Sequence, residues 1–300
     1  MDDFENFLPL LEFVCKVVPG SDGLPVVLAE PAFSSEPSRE KLTELLFEHF
    51  KVPALSITLQ GILALVGTGR VTGLVLECGH TGCQTVPIFE SFVIPHSIGS
   101  MRLGGRELDI LLAKLLAIRS YRLAKTSDRD LLRQMKEELC YCRKSVEVSE
   151  IESLDFRLPD GNVVVLGKER FVVPEALFKP GLVGVEGEGV AALVGSSVKQ
   201  SPIDLTKPLV SNIIVSGGSS MFKDFPTRLA AEVKFKVSAN MAREVRVVAN
   251  EDRKRSVWNG GKVFADLRES FQERWITKEE YTEHGPGFIH SKVMSTRAPA

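Results

Sequence analysis

Phe4, Phe7, Leu8, Leu11, Val14 and Val17 recur at spacings of three and four, the stripe of an amphipathic helix over residues 4–17. A Gly23-Leu24-Pro25 break follows, and the short apolar run Val26-Val27-Leu28-Ala29 reads as a buried strand. Ser35, Glu36 and Pro37 then supply a cap and a first turn for a helix with Leu42, Leu45, Leu46 and Phe50 on one face. Residues 54–58 read as another strand and residues 61–66 as a short helix, which closes a first alternating unit.

From Arg70 the rhythm changes. Residues 71–76 and 84–89 are two apolar strands around a tight Gly79 to Gly82 turn, a hairpin pattern. Leu108, Leu111, Leu112, Leu115 and Leu116 predict a helix from Gly105 to about Arg119, and a second starts at a Ser127-x-x-Asp130 capping box and runs through Leu131, Met135 and Leu139. Leu158-Pro159-Asp160-Gly161 is a turn, since proline presets one dihedral and glycine accepts positive φ; it joins Phe156-Arg157 to Val163-Val164-Val165. Asn212 to Val215 reads as a strand that ends in Ser216-Gly217-Gly218-Ser219-Ser220, and residues 225–237 turn helical. Strand, glycine pair and helix in that order bring backbone N–H groups close to a ligand. Residues 245–248 form the next strand and residues 257–275 are mainly helical, so strands alternate with helices throughout and the class is α/β.

Composition narrows the reading. At 300 residues with 44% apolar positions the chain can bury a sizeable core or two modest ones. Lysine and arginine total 37 against 39 acids, which excludes a global field for nucleic acid or membranes, and runs such as Arg253-Lys254-Arg255 read as solvated faces. The first residues are acidic where a secretory leader is basic, and no apolar stretch is long enough to cross a bilayer, so the expected location is cytoplasmic, with the nucleus as an alternative. The five cysteines include no C-x-x-C pair and no matching histidine spacing; they are expected as reduced, mostly buried thiols, with Cys140 and Cys142 on different faces of one helix. A redox pair of Cys78 and Cys83 across the hairpin is the competing reading for those two.

Several blocks occur in one order and spacing. They include Pro53-Ala54-Leu55 through Gln60, Gly69-Arg70-Val71-Thr72-Gly73, Val86-Pro87-Ile88-Phe89-Glu90, Leu103-Gly104-Gly105-Arg106-Glu107-Leu108 and Lys136-Glu137-Glu138-Leu139-Cys140-Tyr141. Further on come Pro174-Glu175-Ala176-Leu177-Phe178, Ser216-Gly217-Gly218, Ser256-Val257-Trp258-Asn259-Gly260-Gly261 and Trp275-Ile276-Thr277-Lys278-Glu279-Glu280-Tyr281. Together they resemble actin and the actin-related proteins over residues 2–292. The resemblance implies two α/β lobes around a nucleotide cleft, the fold shared with Hsp70 and sugar kinases. Residues 1–67 plus 256–300 would form the first lobe. Residues 68–255 would form the second, with an inner sheet domain at 68–103 and 186–255 and an outer insertion at 104–185. An ordinary actin carries several dozen residues before the point matching Met1, including a phosphate hairpin and the DNase-binding loop, so the first lobe is expected to be truncated.

By the same resemblance Lys136, Glu137, Gly217, Gly218, Met221, Phe222 and Lys254 line an adenosine pocket, Gly105 flanks the ribose and Gly79 lies at the tip of a phosphate hairpin. Read alone, Gly217-Gly218 is also consistent with a plain turn. The phosphate end departs from the family: Glu77 and His80 stand where it has aspartates, and Gln84 stands where it has a histidine. Gln60 matches the glutamine that positions the attacking water. Glu77 keeps a carboxylate, but one further methylene moves it by over an ångström, and a misplacement of about 1 Å costs roughly a hundredfold in rate. His80 reads either as an exposed loop residue without a task or as a phosphate-binding or basic group.

The catalytic candidates are therefore Gln60 and Glu77, no metal ligand is named, and ATP or ADP with magnesium is expected to bind weakly. The leading functional expectation is a cytoskeletal or interaction protein with protein partners, actin or actin-binding proteins among them, and neither nucleic acid nor membrane. The alternative is a slow ATPase in a longer isoform. The stretch Ala265 to Phe271 is more charged than its actin counterpart, and no conventional self-assembled filament is expected.

Overall fold

The computed structural model describes residues 4–17, 23–121, 123, 128–144, 152–267 and 272–293. Along the chain come α1 (Phe4–Val17), β1 (Val26–Glu30), α2 (Glu36–Glu44), a π-helical turn at Leu45–His49, β2 (Ala54–Leu59) and α3 (Gln60–Val66). Next are β3 (Gly73–Cys78), β4 (Cys83–Phe89), β5 (Phe92–Val93), β6 (Gly99–Met101), α4 (Gly105–Ile118) and α5 (Asp128–Leu139). They are followed by β7 (Leu154–Arg157), β8 (Val163–Leu166), α6 (Glu169–Phe178), α7 (Val190–Gln200), α8 (Ile203–Val210), β9 (Ile213–Ser216) and α9 (Phe225–Lys236). The last are α10 (Ala239–Ala242), β10 (Val247–Val248), α11 (Ser256–Asp266), β11 (Ile276–Thr277), α12 (Lys278–His284) and α13 (Ile289–Lys292). Two compact units result: Met1–Val71 with Ser91–Pro95 and Val257–Ala300, and Thr72–Glu90 with His96–Ser256.

In the first unit β2 lies between β1, parallel to it, and β11, antiparallel to it. Side chains alternate across a strand, so Leu55, Ile57, Val26 and Leu28 pack on one face with Phe47, Ile276 and Ile289. Ala54, Val27 and Ala29 pack on the other face with Leu63, Phe264 and Trp275. Covered on both faces, β2 is buried at every position, its polar Ser56 and Thr58 included. Ser35 caps α2 by accepting a hydrogen bond from Ser38 N at 3.3 Å. At the end of β1 the buried Glu30 takes Arg39 in a forked pair of 2.7 and 3.1 Å, so its charge is matched where water cannot reach it. Trp258 on α11 is exposed and Trp275 is buried.

The second unit is built on strands in the order β10-β9-β3-β4, with β6 against β4. The β3–β4 ladder is antiparallel and the β9–β3 and β10–β9 ladders are parallel. A separate β7–β8 hairpin carries the turn read from the sequence, with Gly161 at φ 87°. Helices α5 and α6 pack on α4 beside it.

Three expectations change. Cys140 and Cys142 do not sit on a helix: α5 ends at Leu139, because Tyr141 N donates to Arg170 O at 3.0 Å and Cys142 N to Lys223 O at 2.9 Å. That extended segment turns both thiols inward, and Cys78, Cys83, Cys140 and Cys142 are all buried and free. The strand expected at 245–248 is two residues long, and helix α11 stops at Asp266. Ser127 of the expected capping box and residues 268–271 of the charged stretch lie outside the described residues.

Candidate functional site

The β3–β4 hairpin tip, the start of α4 and the turn after β9 meet within the second unit. Gly79 N donates to Gly82 O at 2.9 Å and closes the tip; Gly105 N then donates to Gly79 O at 3.0 Å and Arg106 N to His80 O at 2.9 Å. The first two N–H groups of α4 are thereby bonded to the hairpin, which fixes the helix end against it. The turn after β9 approaches the same hairpin from the other side. Gly217 has φ 93°, and a Cβ placed on it would lie 2.3 Å from Cys78 O, so both its conformation and its contact exclude a side chain. Arg253 holds this turn from below, donating to Ser220 O at 2.8 and 3.2 Å while its own carbonyl accepts Gly217 N at 3.0 Å.

These elements enclose a cavity of about 570 Å³. Of the residues named from the sequence, Gly79, Gly105, Lys136, Glu137, Gly218, Met221, Phe222 and Lys254 line it. Gly217 sits behind Gly218 and shapes the turn. Carbons of the Lys254 stem are 3.9 Å from the position a Gly218 Cβ would take, and Lys254 Nζ pairs with Glu137 at 3.2 Å. Lys136 is only 5% exposed; its ammonium meets Asp109 at 2.7 Å and donates to Gly105 O at 3.0 Å. His80, Arg133 and Ser219 complete the lining. Arg133 and Ser219 were not singled out in the sequence. Arg133 stands one helical turn before Lys136 and Glu137, and Ser219 directly follows the glycine pair, so spacing alone carried a signal for both.

The two catalytic candidates are placed differently. Gln60 opens α3 in the first unit. Glu77 lies in β3, opposite Gln84 in β4, and is 7% exposed. Burial raises its carboxyl from 4.5 to about 7, against a smaller lowering by the hydrogen bond that Gln84 Nε2 donates to it. Neither residue lines the cavity. A larger hollow of about 730 Å³ lies between Tyr121, Asp130 and the Leu158-Pro159-Asp160 turn, and no residue named for the site from the sequence reaches it.

A strand that ends in a glycine turn, facing a hairpin and a helix start, is how α/β folds present backbone donors to a ligand. The fold is that of the actin-like ATPases. The actin family model matches residues 10–294, most of the chain, and the chain belongs to the actin family.

This family's fold generally binds ATP or ADP with magnesium. The glycine-bounded floor, the apolar Met221 and Phe222 and the Lys254 stem fit a flat base and its sugar. A magnesium ion fits the second unit's residues poorly, since it needs hard, ionised oxygen ligands. Among the described residues Glu137, the carboxylate lining the cavity, is held by Lys254, and Glu77 is buried and inclined to keep its proton. Among the described residues no three His, Cys, Asp or Glu side chains gather as a metal site.

Proposed function

We propose that this chain works as a cytoskeletal or interaction protein of the actin family whose second unit receives the adenosine part of a nucleotide but does not support efficient ATP hydrolysis. The observation that carries this reading is Glu77. It occupies the position that resembles the family's aspartate at the phosphate hairpin, yet it is buried, bonded to Gln84 and holds its proton up to about pH 7. Phosphoryl transfer depends on positioned charge, and a buried carboxyl that holds its proton up to about pH 7 and is bonded to a glutamine supplies it less than an exposed, fully ionised one. Its partners are proteins, actin or actin-binding proteins among them. Self-assembly into a conventional filament is not part of the proposal, because Asp266, Arg268 and Glu269 stand in a stretch that is small and apolar in actin.

Phosphate release from ATP by the purified chain tests the catalytic half, and release no faster than the buffer blank is expected. Turnover matching actin and abolished by Glu77→Ala would overturn it. Thermal melting with adenosine or ADP tests the binding half: a ligand that favours the folded state raises the midpoint. Long polymers of the pure protein in electron micrographs would remove the filament clause.

A further inference from the structure

We propose that the cavity of the second unit selects an uncharged nucleoside over its phosphorylated forms, because each lysine and arginine lining it is already answered by a carboxylate; this rests on the adenosine reading of the same cavity. Among the described residues those cations are Arg133, Lys136 and Lys254. Lys136 meets Asp109 at 2.7 Å, Lys254 meets Glu137 at 3.2 Å and Arg133 meets Asp130 at 3.8 Å. Three positive charges thus face three negative ones, and these side chains give the cavity no net charge.

The pairs are not equally firm. The side chains of Lys136 and Asp109 are 6% and 15% exposed, so neither regains water when its partner is taken, and parting a buried pair is strongly destabilising. A phosphate beside Lys136 would have to share that ammonium with Asp109, and the two anions repel. The pairs of Lys254 and Arg133 are open to water and individually weak. A phosphate that took either cation would still exchange one anion for another and lie next to the carboxylate it displaced.

The nearest helix end offers no substitute. The N–H groups of Gly105 and Arg106, which open α4, donate to Gly79 O at 3.0 Å and His80 O at 2.9 Å. The donors that hold an anion at other helix starts are spent here on the hairpin. An uncharged ligand needs none of this. Lys136 keeps one N–H beyond those given to Asp109 and Gly105 O, and Glu137 keeps acceptor capacity beside Lys254, which suits the ring nitrogens and hydroxyls of a nucleoside. Met221 and Phe222 add apolar lining for the base.

Adenosine, AMP and ADP are titrated calorimetrically into the full chain in EDTA at pH 8, where an ordinary imidazole is uncharged and no divalent cation masks the phosphates. The expected result is adenosine binding at least as tightly as AMP or ADP. Asp109→Asn leaves Lys136 unmatched and should move the ratio of ADP to adenosine affinity about tenfold toward ADP, as one charge-assisted contact provides. Glu137→Gln does the same for Lys254 in a more exposed pair, so a severalfold shift is expected, and it carries the test where Asp109→Asn fails to fold. ADP bound more tightly than adenosine by the parent overturns the selectivity while the adenosine reading stands. A ratio that neither variant moves overturns the charge matching as its cause. ADP binding without adenosine binding, or silence with all three ligands, defeats the adenosine reading and the selectivity together.

Discussion

A carboxyl carried into strand β3 gives up its hydration, and Glu77 recovers one side-chain hydrogen bond, from Gln84. The folded protein therefore keeps this proton up to about pH 7, while the unfolded chain releases it near 4.5. Between those values the folded state binds more protons than the unfolded one, so this residue's contribution to stability falls as pH rises and is level above and below the window. Glu77→Gln removes the titration and keeps the shape and an acceptor. Urea melts should find the variant more stable than the parent at pH 8, by about 3 kcal/mol at most, and indistinguishable from it at pH 4. Equal stability differences at both pH values would mean that Glu77 is ionised inside the fold.

Between elements, α11 lies tightly against α3 in the first unit. A Cβ on Gly260 would stand 1.7 Å from the carbonyl oxygen of Leu63, whereas one on Gly261 would find only Leu63 Cδ1, at 4.0 Å. Gly260→Ala should thus cost about 3 kcal/mol or prevent folding, because backbone must move to admit the methyl. Gly261→Ala next to it should be neutral or gain up to about 1 kcal/mol from better helix propensity. Thermal denaturation of the two variants side by side measures the contrast.

This scale also shows what the sequence could tell. Strands β1 and β2 and the β3–β4 hairpin announce themselves, since their apolar runs are bounded by glycine and proline. Helix α1 was equally plain from its stripe. The end of α5 was hidden because Leu139-Cys140-Tyr141-Cys142 continues a helical pattern, and only distant carbonyls, of Arg170 and Lys223, draw the backbone straight. The cavity residues Lys136, Glu137, Gly218 and Lys254 were reachable by resemblance, but the burial of Glu77 and the pairing of Lys136 with Asp109 are facts of three dimensions. No spacing encodes them.

Taken whole, the chain carries two units, each with its own buried core. Chains built this way commonly depart from a single cooperative transition. Urea unfolding followed by far-ultraviolet circular dichroism, which sees every helix, should not coincide with the curve from tryptophan emission. Superimposable curves would show the two units unfolding as one.

The reason lies in where the indoles are. The chain has two tryptophans, Trp258 and Trp275, and both belong to the first unit. The nucleotide-sized cavity lies in the second, which is optically dark in that band. Intrinsic emission followed during unfolding is therefore a record of the first unit by itself, obtained without any attached dye.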